Sequence, residues 1–320
     1  MTMQTDNNEW IVRLSGLKKS YGNLVAVKDL SLDIRRGEIF GFLGPNGAGK
    51  TTTISMICGL LKKDAGDVTI DGHTLDEEFG RCKKSMGLCP QDIVVWESLT
   101  CLEQLEFSAR MYDVPKPVAR KRALELLGVF GLEEKKNRLA KTLSGGMKRR
   151  LNIALALVHD PKILILDEPQ AGLDPQSRIL VREYIRTLAG EKTVILTTHD
   201  MDEADRLAGR IGIIDHGELL VLDTADNLKD QVGTGDILEI KIADGQENKV
   251  ALLRQSLPGS LQLLDDHPGC LRFVGADIPE ILSALLEKSK QIGLKIEDMT
   301  IRKKTLEDVF IYLTGRRLRE

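Results

Sequence analysis

The stretch GPNGAGKTTT, residues 44–53, constrains the fold more than any other part of the chain. Three glycines and a proline stand directly before a lysine and three threonines, so a run that resists helix ends where a helix can begin. Gly44, Gly49, Lys50 and Thr51 satisfy the spacing G-x-x-x-x-G-K-[ST]. The apolar run EIFGFLG before it reads as a buried strand, and a helix is predicted from about Lys50 to Leu60. In that context the glycines let successive backbone N–H groups turn inward onto phosphate oxygens, and the helix start adds partial positive charge. Gly44, Pro45, Asn46, Gly47, Ala48, Gly49, Lys50, Thr51 and Thr52 are the expected cradle. Lys50 would neutralise the β- and γ-phosphates, and Thr51 would offer its hydroxyl to Mg²⁺.

A phosphate loop is shared by many activities, so other segments must decide. The run ILILDE reads as a buried parallel strand that places Asp167 and Glu168 at its C-terminal end, where ligands bind in such sheets. Asp167 is suited to support Mg²⁺ through water, and Glu168 to polarise an attacking water. TLSGGMKRR opens a helix with Ser144, Gly145 and Gly146, a second helix start of anion-binding type. One molecule is poorly placed to aim both helix starts at one phosphate.

Around these motifs the pattern alternates. Residues 10–43 read as β structure, with a register slip inside VAVKDLSLDI, and Val68–Asp71 as a short strand. From about 99 to 157 the spacing is helical, with a capping box at Thr100 and Glu103 and helices following Pro115 and preceding Val158. TVILTTHD reads as another buried strand, with helices at 176–189 and 201–208 around it. Strands alternating with helices imply a largely parallel sheet covered on both faces. A composition shift over 225–235 suggests a boundary, giving domains 1–230 and 231–320. The second reads β-α-β-β-α-β-α, a split βαβ arrangement, with segments at 236–243, 246–256, 260–264, 270–275, 278–290, 294–301 and 305–314. Its last helix is capped by Thr305 and Asp308, carries the stripe Leu306, Val309, Phe310 and Leu313, and stops at Gly315.

The formal net charge of −3 argues against a nucleic-acid partner held by bulk attraction. The basic runs Lys148-Arg149-Arg150 and Arg302-Lys303-Lys304 read as solvated faces. Five scattered cysteines without a CxxC pair fit neither a disulfide framework nor a zinc site. No apolar run approaches the ~20 residues that span a bilayer, so any membrane partner is expected to be a separate chain. His73, His159, His216 and His267 read as surface or capping residues, and Trp10 and Trp96 as packing anchors, with Trp96 close enough to Gln91 to meet a membrane subunit.

Taken together, Gly44–Thr51, LSGGM, ILILDE, AGLD, CPQD, TTHD and KSYGN occur in the order and spacing that resemble the ATP-binding subunit of an ABC transporter, over roughly residues 10–225. The resemblance implies an α/β P-loop NTPase cassette with an antiparallel β subdomain and a helical subdomain at about 92–160, followed by a small α+β C-terminal domain. It implies ATP and Mg²⁺ as cofactors. Tyr21 would stack on adenine, and Gln91 would join Thr51 and Asp167 at the metal. Glu168, His199 and Lys50 would carry catalysis, with His199 as the switch histidine. Asp174 belongs to the D-loop. Two cassettes would pair head to tail as a homodimer, Ser144, Gly145 and Gly146 of one covering ATP on the other.

SGGMKRR and the tail TLEDVFIYLTG resemble ABC-2 type exporters and daunorubicin-resistance-like ATPase subunits. That implies an integral membrane permease as partner and a cytoplasmic, peripheral location on the inner face of the cell membrane. Met147 and Gln170 depart from the glutamine and the threonine or serine usual there. The alternative is a soluble ABC ATPase acting on ribosomes or DNA. A single cassette argues against the first, and a Lys50-to-Asp167 separation of 117 residues without heptads against the second. A nucleotide sensor that does not hydrolyse is opposed by the presence of both Glu168 and His199.

Overall fold

The computed structural model describes residues 9–243, 245–246, 249–250, 252–253, 261–267 and 269–315. It divides into two compact units, Met1–Leu222 and Asp223–Glu320.

The first unit holds two sheets. The hairpin Trp10–Tyr21 and Leu24–Arg35 closes through a two-residue turn with Gly22 at φ 58°, and continues into Ala65–Ile70 and His73–Thr74 as an antiparallel sheet. The pairing of the hairpin strands shifts register repeatedly, which is the slip in the alternation made physical. The six-stranded sheet runs Glu218–Asp223, Arg210–Asp215, Ile39–Leu43, Thr193–Thr198, Ile163–Asp167, Met86–Cys89. The last five pair in parallel, so their C-terminal ends all reach one edge.

The apolar runs are explained by burial on both faces. Ile163 and Ile165 pack with Phe40, Phe42 and Ile54 on one side; Leu164 and Leu166 pack with Leu105, Leu127, Phe130 and Leu151 on the other. The second set includes residues of the helices Cys101–Met111, Lys116–Val129 and Gly145–Leu157. The capping box at Thr100 forms as expected, with Glu103 N donating to Thr100 Oγ1 and Thr100 N to the Glu103 carboxylate at 2.8 Å. The helix after the phosphate loop ends at Ile57 rather than Leu60. Helix Phe79–Ser85 and strands Met86–Cys89, Arg210–Asp215 and Glu218–Asp223 were not expected; short runs of this kind carry too few residues for a period to show.

The second unit opens with helix Ala225–Gln231, inside the stretch expected as a boundary. Its sheet is antiparallel throughout, in the order Leu261–His267, Cys270–Gly275, Asp236–Ile242, Ile296–Arg302, the second-third-first-fourth order of a split βαβ unit. Helix Ile278–Gln291 contributes Ile278 and Leu285 to its core. The helix expected at 246–256 lies largely outside the described residues, as does the side chain of His267. Helix Leu306–Thr314 buries Leu306, Val309, Phe310 and Ile311 and packs against helix Ala225–Gln231.

The run Arg302-Lys303-Lys304 is only in part a solvated face: Lys303 is exposed, whereas Arg302 and Lys304 are half-buried. Arg302 donates two hydrogen bonds to the fully buried Asp308 carboxylate at 2.6 and 2.8 Å, while Lys303 meets Asp236 and Lys304 meets Asp230. Asp308 also accepts from Thr305 N and Oγ1. Burial alone would raise the carboxyl's pKa, but the Arg302 and Thr305 donors outweigh it and hold it below its usual value.

Candidate active site

The C-terminal edge of the parallel sheet gathers most of the residues singled out from the sequence. Strand Ile39–Leu43 runs into the phosphate loop, and helix Lys50–Ile57 begins directly after Gly49. Two glycines there are obligatory. A Cβ on Gly44 would lie 2.3 Å from the Ile214 carbonyl oxygen, and Gly49 combines φ 106° with a 2.5 Å approach to Ala26 O. Lys50 folds back over the loop, its Nζ donating to Gly44 O at 2.7 Å and Pro45 O at 3.1 Å. Burial pushes its pKa down, opposed by the carboxylates of Glu168 and Asp167.

The neighbouring strand ends supply the acids. Asp167 is buried and accepts a hydrogen bond from the Thr197 hydroxyl on the adjacent strand. Glu168 is buried too, at φ 50°, in the left-handed region that a non-glycine residue rarely enters. Its N–H donates to Thr197 O at 3.1 Å and Thr197 Oγ1 at 3.2 Å. Its carboxylate meets His199 Nδ1 at 2.9 Å.

A cleft of about 650 Å³ lies over this edge, lined by Tyr21, Leu24, Val25, Ala26, Lys28, Asn46, Gly47, Gly49, Lys50, Thr51, Thr52, Gln91, Glu168 and His216. Basic, hydroxyl and amide groups at a helix start, with a carboxylate opposite and a tyrosine at the rim, can hold a nucleoside triphosphate and address its terminal phosphate. Ser144, Gly145, Gly146 and Asp174 lie outside this lining. They form a separate group. Ser144 caps helix Gly145–Leu157 by accepting from Met147 N at 3.3 Å. Asp174 caps helix Pro175–Thr187 through Ser177, and a Cβ on Gly146 would sit 3.4 Å from its carboxylate.

A family model described as ABC transporter matches residues 27–171. The linearmycin resistance ATP-binding protein of Bacillus subtilis (strain 168) is 37% identical over 311 residues, which is 97% of this chain and 100% of that one. The chain belongs to the ABC transporter family. The daunorubicin/doxorubicin resistance ATP-binding protein of Streptomyces peucetius is 39% identical, covering 95% of this chain and 92% of that one. Among solved structures, the ATP-binding subunit of an ABC transporter aligns with a TM-score of 0.65 at 28% identity, covering 69% of this chain and 92% of that one. A dimeric ATP-binding cassette in a post-hydrolysis state, bound to ADP and Pi, aligns with a TM-score of 0.62 at 30% identity, covering 67% and 98%. This chain is accordingly an ATP-hydrolysing cassette subunit.

Three features of the cassette escaped the sequence reading. The run Lys148-Arg149-Arg150 is not a uniformly solvated face: Lys148 pairs with Glu97 at 2.8 Å, Arg150 donates to Phe130 O, and Arg149 is buried. Gln170, the unexplained departure, donates through Nε2 to Glu203 at 2.7 Å, and Arg182 grips the same carboxylate. Glu203 lies on helix Met201–Leu207, which follows His199, so Gln170 ties the chain beyond Glu168 to the element beyond the histidine. The histidines differ in outcome: His216 is exposed, as expected, and also lines the cleft, whereas His159 is half-buried, stacked on Tyr112 at 3.7 Å with Nε2 bonded to Met86 O, its pKa lowered by burial.

Proposed function

We propose that this ATPase subunit powers a membrane exporter by closing on a second copy of itself around ATP. One observation carries the reading. The helix start at Ser144–Gly146, with Ser144 and Gly145 exposed, lies outside the lining of the cleft of Lys50, Gln91 and Glu168, which favours the two phosphate-binding features working together when two copies meet. Ser144, Gly145 and Gly146 of one copy then cap the γ-phosphate lying on the loop of the other, with Asp174 beside the junction.

Within the cleft, Tyr21 stacks on adenine and residues 44–52 cradle the phosphates. Thr51, Gln91 and Asp167 offer hydroxyl, amide and carboxylate oxygens, a hard donor set that fits Mg²⁺, which when bound neutralises phosphate charge. The Thr197 hydroxyl fixes the Asp167 carboxylate in that set. Glu168 takes the proton of the attacking water, and His199, bonded to it, steadies water and γ-phosphate. Lys50 and the opposite Ser144 stabilise developing charge. Loss of the bridging γ-phosphate lets the copies part.

Among the described residues no helix is long and apolar enough to cross a membrane, so the transport path belongs to a separate integral membrane subunit of ABC-2 permease type. The cassette sits on its cytoplasmic side. The exposed apolar residues Ile93, Val94 and Trp96 follow Gln91, and the Trp96 ring meets exposed Phe107 edge-on at 5.5 Å, a surface suited to that subunit. The names of the relatives support export: two are resistance proteins, and a third is the Nod factor export ATP-binding protein I of Ralstonia nicotianae (strain ATCC BAA-1114 / GMI1000), 36% identical over 97% of this chain and 95% of that one. The test is co-purification with an integral membrane subunit and reconstitution of the pair in vesicles with amphipathic drugs. ATP-dependent drug movement, abolished by Glu168→Gln, is expected. A pair that hydrolyses ATP but moves none of them, and whose rate is indifferent to the membrane subunit, contradicts the reading.

A further inference from the structure

Arg149 lies one turn into helix Gly145–Leu157 and is 1% exposed. A guanidinium has five N–H bonds, and here each meets a backbone carbonyl oxygen. Nε donates to Pro169 at 3.1 Å, Nη1 to Pro90 at 2.5 Å and Gln91 at 3.0 Å, and Nη2 to Asp167 and Glu168, both at 2.7 Å. One side chain thus joins the helix that opens at Ser144, the segment carrying Gln91 and the segment carrying Asp167 and Glu168.

We infer that Arg149 is a positioning residue for hydrolysis: it fixes the backbone of Glu168 and locks it to the Gln91 segment and to the Ser144 helix. This rests on the reading of Glu168 as the base. The chemistry of the site fits that role better than simple core filling. Burying a cation is costly unless its donors are met, and a filler at this position needs neither charge nor donors. The planar fork holds several acceptors in fixed relative geometry, whereas a lysine offers only three freely rotating donors from one point.

Glu168 is where fixing the backbone matters most. Its left-handed conformation is held at the N–H by Thr197 and at the carbonyl by Arg149, so the side chain leaves Cα in one direction, toward His199 Nδ1. Without the Arg149 bond, the peptide following Glu168 is free to rotate and the carboxylate loses its aim. A change at Gln91 or at the Ser144 helix reaches Glu168 through the same guanidinium.

The experiment uses the full chain with Arg149→Lys and Arg149→Gln, each alone and combined with Glu168→Gln, and reads thermal melting, binding of a fluorescent ATP analogue, kcat and KM. The expected result is a kcat loss of about 10-fold or more, with KM and analogue affinity within about 3-fold of the unmodified chain. In the Glu168→Gln background the same changes at Arg149 should alter the residual rate by less than about 2-fold, because the lost interaction acts through that carboxylate. Unaltered kcat in Arg149→Lys with a slow Glu168→Gln overturns this inference alone. Folding, affinity and kcat falling together in both Arg149 variants also overturn it, since that is how a packing residue behaves. Wild-type turnover in Glu168→Gln overturns the underlying reading and the inference with it.

Discussion

At the residue scale the cassette concentrates strain and buried charge where phosphoryl chemistry is read. Glu168 occupies a left-handed backbone that costs a carboxylate residue roughly 1–3 kcal/mol, and it is held there by Thr197 and Arg149. Replacing Glu168 with glutamine keeps the side chain's shape but removes the carboxylate proposed as the base. Turnover should fall by about 10²- to 10⁴-fold, with analogue binding retained, in a phosphate-release assay. Gln170 makes a different, structural contribution. Gln170→Ala removes one bond to the Glu203 carboxylate while Arg182 remains, so urea denaturation should show a loss of about 1–2 kcal/mol. These residues also mark the limit of sequence reading. The phosphate loop was legible because only glycine fits at positions 44 and 49. Arg149 was not, because its burial depends on carbonyls supplied from positions 58, 59 and 18 to 20 residues away, and a run of basic letters looks the same wet or dry.

At the scale of elements, helix starts are used twice over. Ser144 caps its own helix and, in the proposed dimer, also faces a phosphate. The two roles separate chemically. Ser144→Asp keeps an acceptor for Met147 N and suits the helix dipole, so melting should change little, yet its charge repels the γ-phosphate. ATPase activity should be lost while analogue binding to the loop persists. An unimpaired rate in that variant would show that Ser144 never meets phosphate. In the second unit the cap of helix Leu306–Thr314 is an ion pair as well. Asp308 has a folded pKa held below its usual 3.8, so its stabilisation is complete above that value and disappears as pH falls through the folded pKa. Asp308→Ala, which leaves Arg302 with Lys303 O and the more distant Glu239 carboxylate, should destabilise this unit by roughly 1–3 kcal/mol at neutral pH and flatten its acid unfolding curve below about pH 4, followed by circular dichroism. The cap and its apolar stripe were readable from TLEDVF. The strands Met86–Cys89 and Arg210–Asp215 were not, because they gain their identity only by pairing with Ile163–Asp167 and Ile39–Leu43.

At the scale of the whole molecule, the sheet brings the loop, both acids, the histidine and Gln91 to one edge, and leaves Ser144–Gly146 and Asp174 on a surface of their own. That division is what supports the proposed two-copy mechanism. Sedimentation of the full-length Glu168→Gln variant, with and without saturating ATP, tests it most directly. The account predicts a monomer without ATP and a dimer with it, and a return to ATP-bound monomer when Ser144→Asp is added to the same chain. A Glu168→Gln chain that binds ATP yet stays monomeric, or a dimer that survives Ser144→Asp, would contradict it.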